Sequence, residues 1–151
     1  MDNRKYARES EQARAEEIER DIARLREFEA FAKFTDADLR KLVEAAQHTS
    51  TSGPWPLIRE ATPSDAAYIL LSGEVGVYVG QDRIAVVGPG EVIGESVLRR
   101  GSLRNATVTT TGRAEVLHLN REDLARLVDE IPALREAMDE TARRHTPQAA
   151  E

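Results

Sequence analysis

The chain has 151 residues, a formal net charge of −6 and no cysteine. That length suits one domain with a helical extension or two, and is too short for two substantial cores. The acidic balance disfavours nucleic acid as a partner, the missing cysteine excludes disulfides and thiolate metal sites, and no stretch approaches the roughly 20 apolar residues of a membrane span.

The N-terminus is charged throughout, with no apolar signal core behind it, so the expectation is a soluble, cytoplasmic protein. Residues 8–32 are alanine-rich and charged, without Gly or Pro, which favours helix. Ala15, Ile18, Ile22 and Leu25 recur at spacings of 3, 4 and 3 and form one apolar stripe, while Glu16 and Arg20 can pair one turn apart. The plain reading is a solvated helix docking its stripe on the rest of the domain; the sharper one is a homodimer contact through residues 8–32. A second helix starts at Thr35, an N-cap with Asp38 in the first turn, and buries Leu39, Leu42 and Val43. It ends near Gln47-His48, and Thr49-Ser50-Thr51-Ser52-Gly53-Pro54 reads as loop.

From about residue 55 the period changes. Leu57-Ile58, Ala67–Leu71, Val75–Val79, Arg83–Val87, Ala106–Thr111 and Ala114–Leu119 are short runs separated by turn residues, the pattern of a sandwich or barrel. Trp55, between two prolines, reads as a loop anchor packed on the barrel, with a base-stacking ring as the sharper option. Asn120 with Asp123 opens a third helix carrying Leu124, Leu127 and Val128 inward. Pro132 marks a kink or restart, Leu134, Ala137 and Met138 continue the stripe, and the tail from Pro147 frays.

The informative segment runs from Gly90 to Thr107, far longer than a barrel turn needs. Gly94 lets backbone approach a ligand closely, and Glu95 offers acceptor oxygens to a sugar hydroxyl. Ser96 and Val97 would open a helical turn whose free N–H groups favour an anion, and Arg104 supplies a fork of donors for phosphate oxygens. The plain alternative for Glu95 and Arg104 is an exposed ion pair on a loop. His48, His118 and His145 are scattered without ligand spacing, so core or surface roles are expected and no metal; no nucleophile has a neighbouring base, so no catalytic residue and no enzyme activity are expected.

Gly94-Glu95, the nine-residue spacing from Glu95 to Arg104, and then Asn105-Ala106-Thr107 resemble the phosphate-binding cassette of cyclic-nucleotide-binding domains, the family of protein kinase A regulatory subunits and bacterial catabolite activators. The resemblance spans about residues 28–145: Phe31, Phe34 and Thr35–Leu39 are similar to the helix before the barrel, Ser72–Val75 to the mid-barrel turn and Val87–Glu91 to the turn into the cassette. Two positions depart from the family pattern. Glu60-Ala61 stands where members carry Glu-Gly, and Asn105 where they carry Ala, Thr or Ser, which leaves the base open between cAMP and cGMP.

The resemblance implies a mainly β fold with flanking helices, a β-roll or jelly roll of cupin-like double-stranded β-helix type. The implied divisions are a charged helical extension over 1–32, the cyclic-nucleotide-binding domain with its C-terminal helices over 33–145, and a flexible tail over 146–151. It implies ligand contacts from Gly94, Glu95, Ser96, Val97, Arg104, Asn105 and Ala106, with Glu95 on the ribose 2′-hydroxyl and Arg104 on the cyclic phosphate. No cofactor is implied beyond the ligand, cAMP or cGMP. In the implied mechanism, phosphate capture draws the cassette inward, relieves packing near Leu98, and the helices around Leu124–Met138 swing over the base. About 20 residues follow the first C-terminal helix, too few for a DNA-reading module, and Met1 favours a stand-alone sensor acting on an unknown protein partner. The alternative is a cassette that has lost its ligand, on a domain that serves dimerisation or interaction.

Overall fold

The computed structural model describes residues 3–58, 66–94 and 106–145. A long helix, α1 (Asn3–Arg26), leads through a 3-10 turn at Glu29–Phe31 into α2 (Asp36–Ala45). Eight strands follow: β1 (Gln47–Thr51), β2 (Pro56–Ile58), β3 (Ala66–Ser72), β4 (Val75–Val79), β5 (Asp82–Val87), β6 (Val92–Ile93), β7 (Thr107–Thr110) and β8 (Ala114–Asn120). Two helices close the chain, α3 (Arg121–Glu130) and α4 (Pro132–His145). None of the described helices is long and apolar enough to cross a membrane.

The strands form two four-stranded antiparallel sheets, ordered β1-β8-β3-β6 and β2-β7-β4-β5. One core lies between the sheets, built from Ile58, Leu70, Val75, Val87, Ile93, Val108 and Val116. A second lies between the first sheet and the helices, where Leu25, Phe31, Leu42, Ile69, Leu117, Leu124, Ile131 and Leu134 meet. The first sheet is therefore covered on both faces. This explains why β3 is an almost unbroken apolar run rather than an alternation: Ala67, Ile69 and Leu71 face the helices, while Leu70 faces the other sheet.

Local chemistry sets the helix ends. Thr35 accepts a hydrogen bond from the Asp38 N–H at 3.1 Å, and Asp38 accepts in return from the Thr35 N–H at 3.2 Å, a complete capping box. Asn120 accepts from the Asp123 N–H at 2.8 Å and opens α3. Ile131 ends that helix, and Pro132 starts α4 where its missing N–H has no intrahelical partner to lose.

Four details differ from the sequence-based expectation. The helix expected over 8–32 stops at Arg26, and Phe28 adopts extended backbone before the 3-10 turn. Glu16 accepts from Gln12 at 3.3 Å, the residue one turn before it. The second helix ends at Ala45, and the Thr/Ser segment after it, expected to be loop, is the edge strand β1, paired in register from Gln47 opposite His118 to Thr51 opposite Ala114. Its polar composition reflects an edge with mostly exposed side chains, and its threonines favour extended backbone. The two-residue strand β6 is too short to carry a period of its own.

Candidate functional site

Among the residues assigned to ligand contact from sequence, Gly94 and Ala106 are described; Glu95, Ser96, Val97, Arg104 and Asn105 lie outside the described residues, as do Leu98 and the Glu60-Ala61 pair. Gly94 follows Ile93 of β6, which pairs with Tyr68 in the first sheet. Ala106 precedes Thr107 of β7, which pairs with Tyr78 in the second sheet. Gly94 and Ala106 therefore adjoin strands of different sheets. Gly94 has φ +94°, a left-handed backbone that a residue with a Cβ adopts only under strain.

The cassette's first anchor is also where the helices converge. α4 packs against both β6 and the 3-10 turn. Leu134, Ala137 and Met138 of α4 are buried in the same core as Val92 of β6. Leu134 and Met138, read from sequence as continuing the apolar stripe, are core residues in this arrangement. Phe28 rests on Gly90, two residues before β6: a Cβ added to Gly90 would lie 2.9 Å from the Phe28 Cγ. The Gly90 N–H donates to the Leu70 carbonyl at 2.8 Å, which ties this turn to the centre of β3.

A cleft of about 720 Å³ is lined by β1, by the segment from Ser52 to Leu57, and by Tyr68, Val116 and His118. Tyr68 and His118 meet edge to face with centroids 5.4 Å apart. Trp55 corrects the sequence reading: it is 61% exposed and does not anchor its loop. The anchor is Thr110, fully buried, whose hydroxyl accepts from the Trp55 N–H at 2.8 Å and donates to the Gly53 carbonyl at 3.2 Å.

Comparison with known proteins agrees with this architecture. The family model for the cyclic nucleotide-binding domain matches residues 56–131, half of the chain, from β2 to the end of α3. The chain belongs to the cyclic nucleotide-binding domain family. A cGMP-dependent protein kinase of Toxoplasma gondii is 29% identical over 113 residues, covering 72% of this chain and 11% of the kinase. The Cyclic AMP receptor protein of Thermus thermophilus is 33% identical over 82 residues, covering 51% of this chain and 38% of the receptor. The chain thus spans a minor part of both relatives. The solved regulatory domain of Toxoplasma gondii PKA with cAMP is 28% identical with a TM-score of 0.62, covering 74% of this chain and 44% of that one. A cyclic nucleotide-binding domain is a regulatory fold rather than a catalytic one.

This cyclic nucleotide-binding domain also carries a polar network that sequence spacing gave no sign of. Asp21 of α1 is 1% exposed and lies 2.8 Å from His48 Nδ1 on β1. His48 Nε2 lies 3.2 Å from Glu115 on β8. Arg24 grips the same Glu115 with two hydrogen bonds, of 3.2 and 2.8 Å, and the Ser72 hydroxyl donates to it at 2.9 Å. The Arg24 hydrogen bonds foremost, opposed by partial burial and helped by Ser72 and His48, push the Glu115 carboxyl down to about 2. Burial alone would lower the His48 pKa, but the hydrogen bond and charge of Asp21, with Glu17 and Glu115, raise it overall. The four contributing elements, α1, β1, β3 and β8, are spread along the sequence, so no spacing rule finds them.

Proposed function

We propose that this domain binds a cyclic nucleotide, cAMP or cGMP, in the segment from Gly94 to Ala106 and converts occupancy into a rearrangement of α3 and α4. The observation that carries the reading is the position of β6. The chain resembles the family's phosphate-binding cassette from Gly94 onward, and β6, the strand that leads into it, is packed by α4. A pull on the cassette would be felt first by Val92 and by Leu134, Ala137 and Met138. In this reading Arg104 takes the cyclic phosphate, Glu95 the ribose hydroxyl, amides at Ser96 and Val97 the phosphate oxygens, and Asn105 and Ala106 complete the contact. The ligand drives movement only if it binds one helix arrangement better than the other.

Relatives named for cGMP and for cAMP both match, so either base remains in the proposal. The domain would act as a stand-alone cytoplasmic sensor on a protein partner. The rival, dimerisation through residues 8–32 without a ligand, is disfavoured by the stripe itself: Ile22 and Leu25 are buried in the domain's own core and Ile18 packs against it.

Calorimetric titration with cAMP and with cGMP, separately, tests the reading. Saturable binding near one site per chain, abolished by Arg104→Ala and by Glu95→Ala with folding retained, is the expected result. No heat and no ligand-induced rise in melting temperature with either nucleotide would sink it.

A further inference from the structure

Asp21, Glu17 and Arg24 face His48 and its partner from α1, Glu115 from β8 and Ser72 from β3. Both ring nitrogens of His48 point at carboxylate oxygens, at 2.8 Å from Asp21 and 3.2 Å from Glu115. Ionised carboxylates only accept hydrogen bonds, and a neutral imidazole has a single N–H. Satisfying both contacts therefore requires the imidazolium.

We propose that protonated His48 is a latch that holds α1 on the roll: it bridges the buried Asp21 of α1 to Glu115 of β8, and its deprotonation weakens the docking of α1. A neutral ring can keep one carboxylate partner and must turn a lone pair toward the other. The loss falls hardest on Asp21, which is almost fully buried and depends on this partner.

The raised pKa of His48 gives the sign. A group bound more tightly as its acid stabilises the docked state below its undocked pKa, near 6.5, and that contribution is lost as pH rises through the docked value. Glu17, Asp21 and His48 also place one ligand atom each within 4.8 Å of one another, a spacing a divalent cation could use. However, Arg14 already pairs with Glu17 at 2.6 Å while donating to the Ala46 carbonyl at 3.1 Å, and both His48 nitrogens are engaged. The charges are balanced by protein groups, so the proton is the ligand we assign.

The test is an NMR titration of the His48 ring in the full chain, assigned with His48→Gln, alongside amide exchange of α1 between residues 16 and 26, corrected for intrinsic pH dependence. The expected midpoint lies above that of an unperturbed histidine and drops in Asp21→Asn. Protection of α1, but not of α3, should fall as pH rises through that midpoint. The fall should be tenfold for each pH unit separating docked and undocked values, and His48→Gln should show low, pH-independent protection. A midpoint at or below the ordinary value overturns the latch, and so does α1 protection that ignores pH or follows it equally in His48→Gln. The wild-type titration decides even if a variant fails to fold. Zn²⁺-induced protection of α1, reversed by chelator and absent in His48→Gln, would make the cluster a metal site and overturn the proton latch.

Discussion

Gly90→Ala probes the joint between the N-terminal helices and the strand that leads to the cassette. Gly90 has φ +91°, so any Cβ there carries a strain of about 1–2 kcal/mol. The new methyl would also lie 2.9 Å from Cγ and 3.1 Å from Cβ and Cδ1 of Phe28, closer than non-bonded carbons pack. Relief requires Phe28 to move, and overpacking of this kind costs about 1–3 kcal/mol. The smaller entropy of the unfolded alanine chain offsets about 0.4–1 kcal/mol. The net expectation is a loss of about 1–4.5 kcal/mol.

The strain and the clash separate in a double-mutant cycle with Phe28→Ala. Truncating Phe28 removes the clash and leaves the strain, so Gly90→Ala should cost about 1–3 kcal/mol less in the Phe28→Ala background than alone. Urea denaturation followed by circular dichroism at constant pH measures all four corners. Additivity within about 0.5 kcal/mol would refute the reasoning, because it would mean that Phe28 does not rest on Gly90 in solution.

Asn120→Ala should cost about 1 kcal/mol, since it removes the acceptor of the Asp123 N–H that starts α3; Asn120→Asp, which keeps an acceptor, should cost much less by the same urea assay. Thr110→Val should cost about 1–3 kcal/mol by removing the buried hydroxyl that accepts from the Trp55 N–H and donates to the Gly53 carbonyl, and the intrinsic fluorescence of the single tryptophan should report the loosened loop. Acid should weaken the fold through Glu115. Its carboxyl lies near 2 against an ordinary 4.5, so its stabilisation is present above about 4.5 and fades as pH falls toward 2. Stability measured against pH in Glu115→Gln should lack that part of the slope; an unchanged acid slope would count against the Arg24–Glu115 pair. Leu134→Ala, at a fully buried position in the helix-facing core, should cost about 2–5 kcal/mol.

Signals that are local in the chain could be read without coordinates. The capping box at Thr35, the cap at Asn120, the restart at Pro132 and most of the strands are written in neighbouring residues, and the structure places them accordingly. β1 was hidden because serine and threonine serve loops and exposed edges equally well; only its pairing with β8 distinguishes the two. Trp55 misled because a tryptophan between prolines looks like an anchor, whereas the anchoring group is a threonine 55 residues away. Nothing local marked the His48 network either, since its members lie on α1, β1, β3 and β8. Of the residues expected from sequence to contact a ligand, the structure describes Gly94 and Ala106, which adjoin strands of different sheets.

Two separate lines of contact reach β6, and they start from opposite ends of the chain. From the C-terminal side, α4 packs directly on the strand. From the N-terminal side, α1 ends at Arg26 and Phe28 takes up the Gly90 turn that opens the strand. Packed interfaces switch between discrete arrangements rather than deforming continuously, so a shift of β6 cannot be absorbed by one side alone. If α4 repacks when the cassette closes, Phe28 must either follow Gly90 or lose its seat. Because Phe28 lies two residues beyond α1, the docking of α1 would then be coupled to ligand occupancy, and by linkage the coupling would run equally in both directions. Phe28→Ala should therefore uncouple the two. Nucleotide binding, where it occurs, should change α1 amide exchange in the wild type and leave it unchanged in the variant. An identical response in both proteins would place the whole of the coupling in α4.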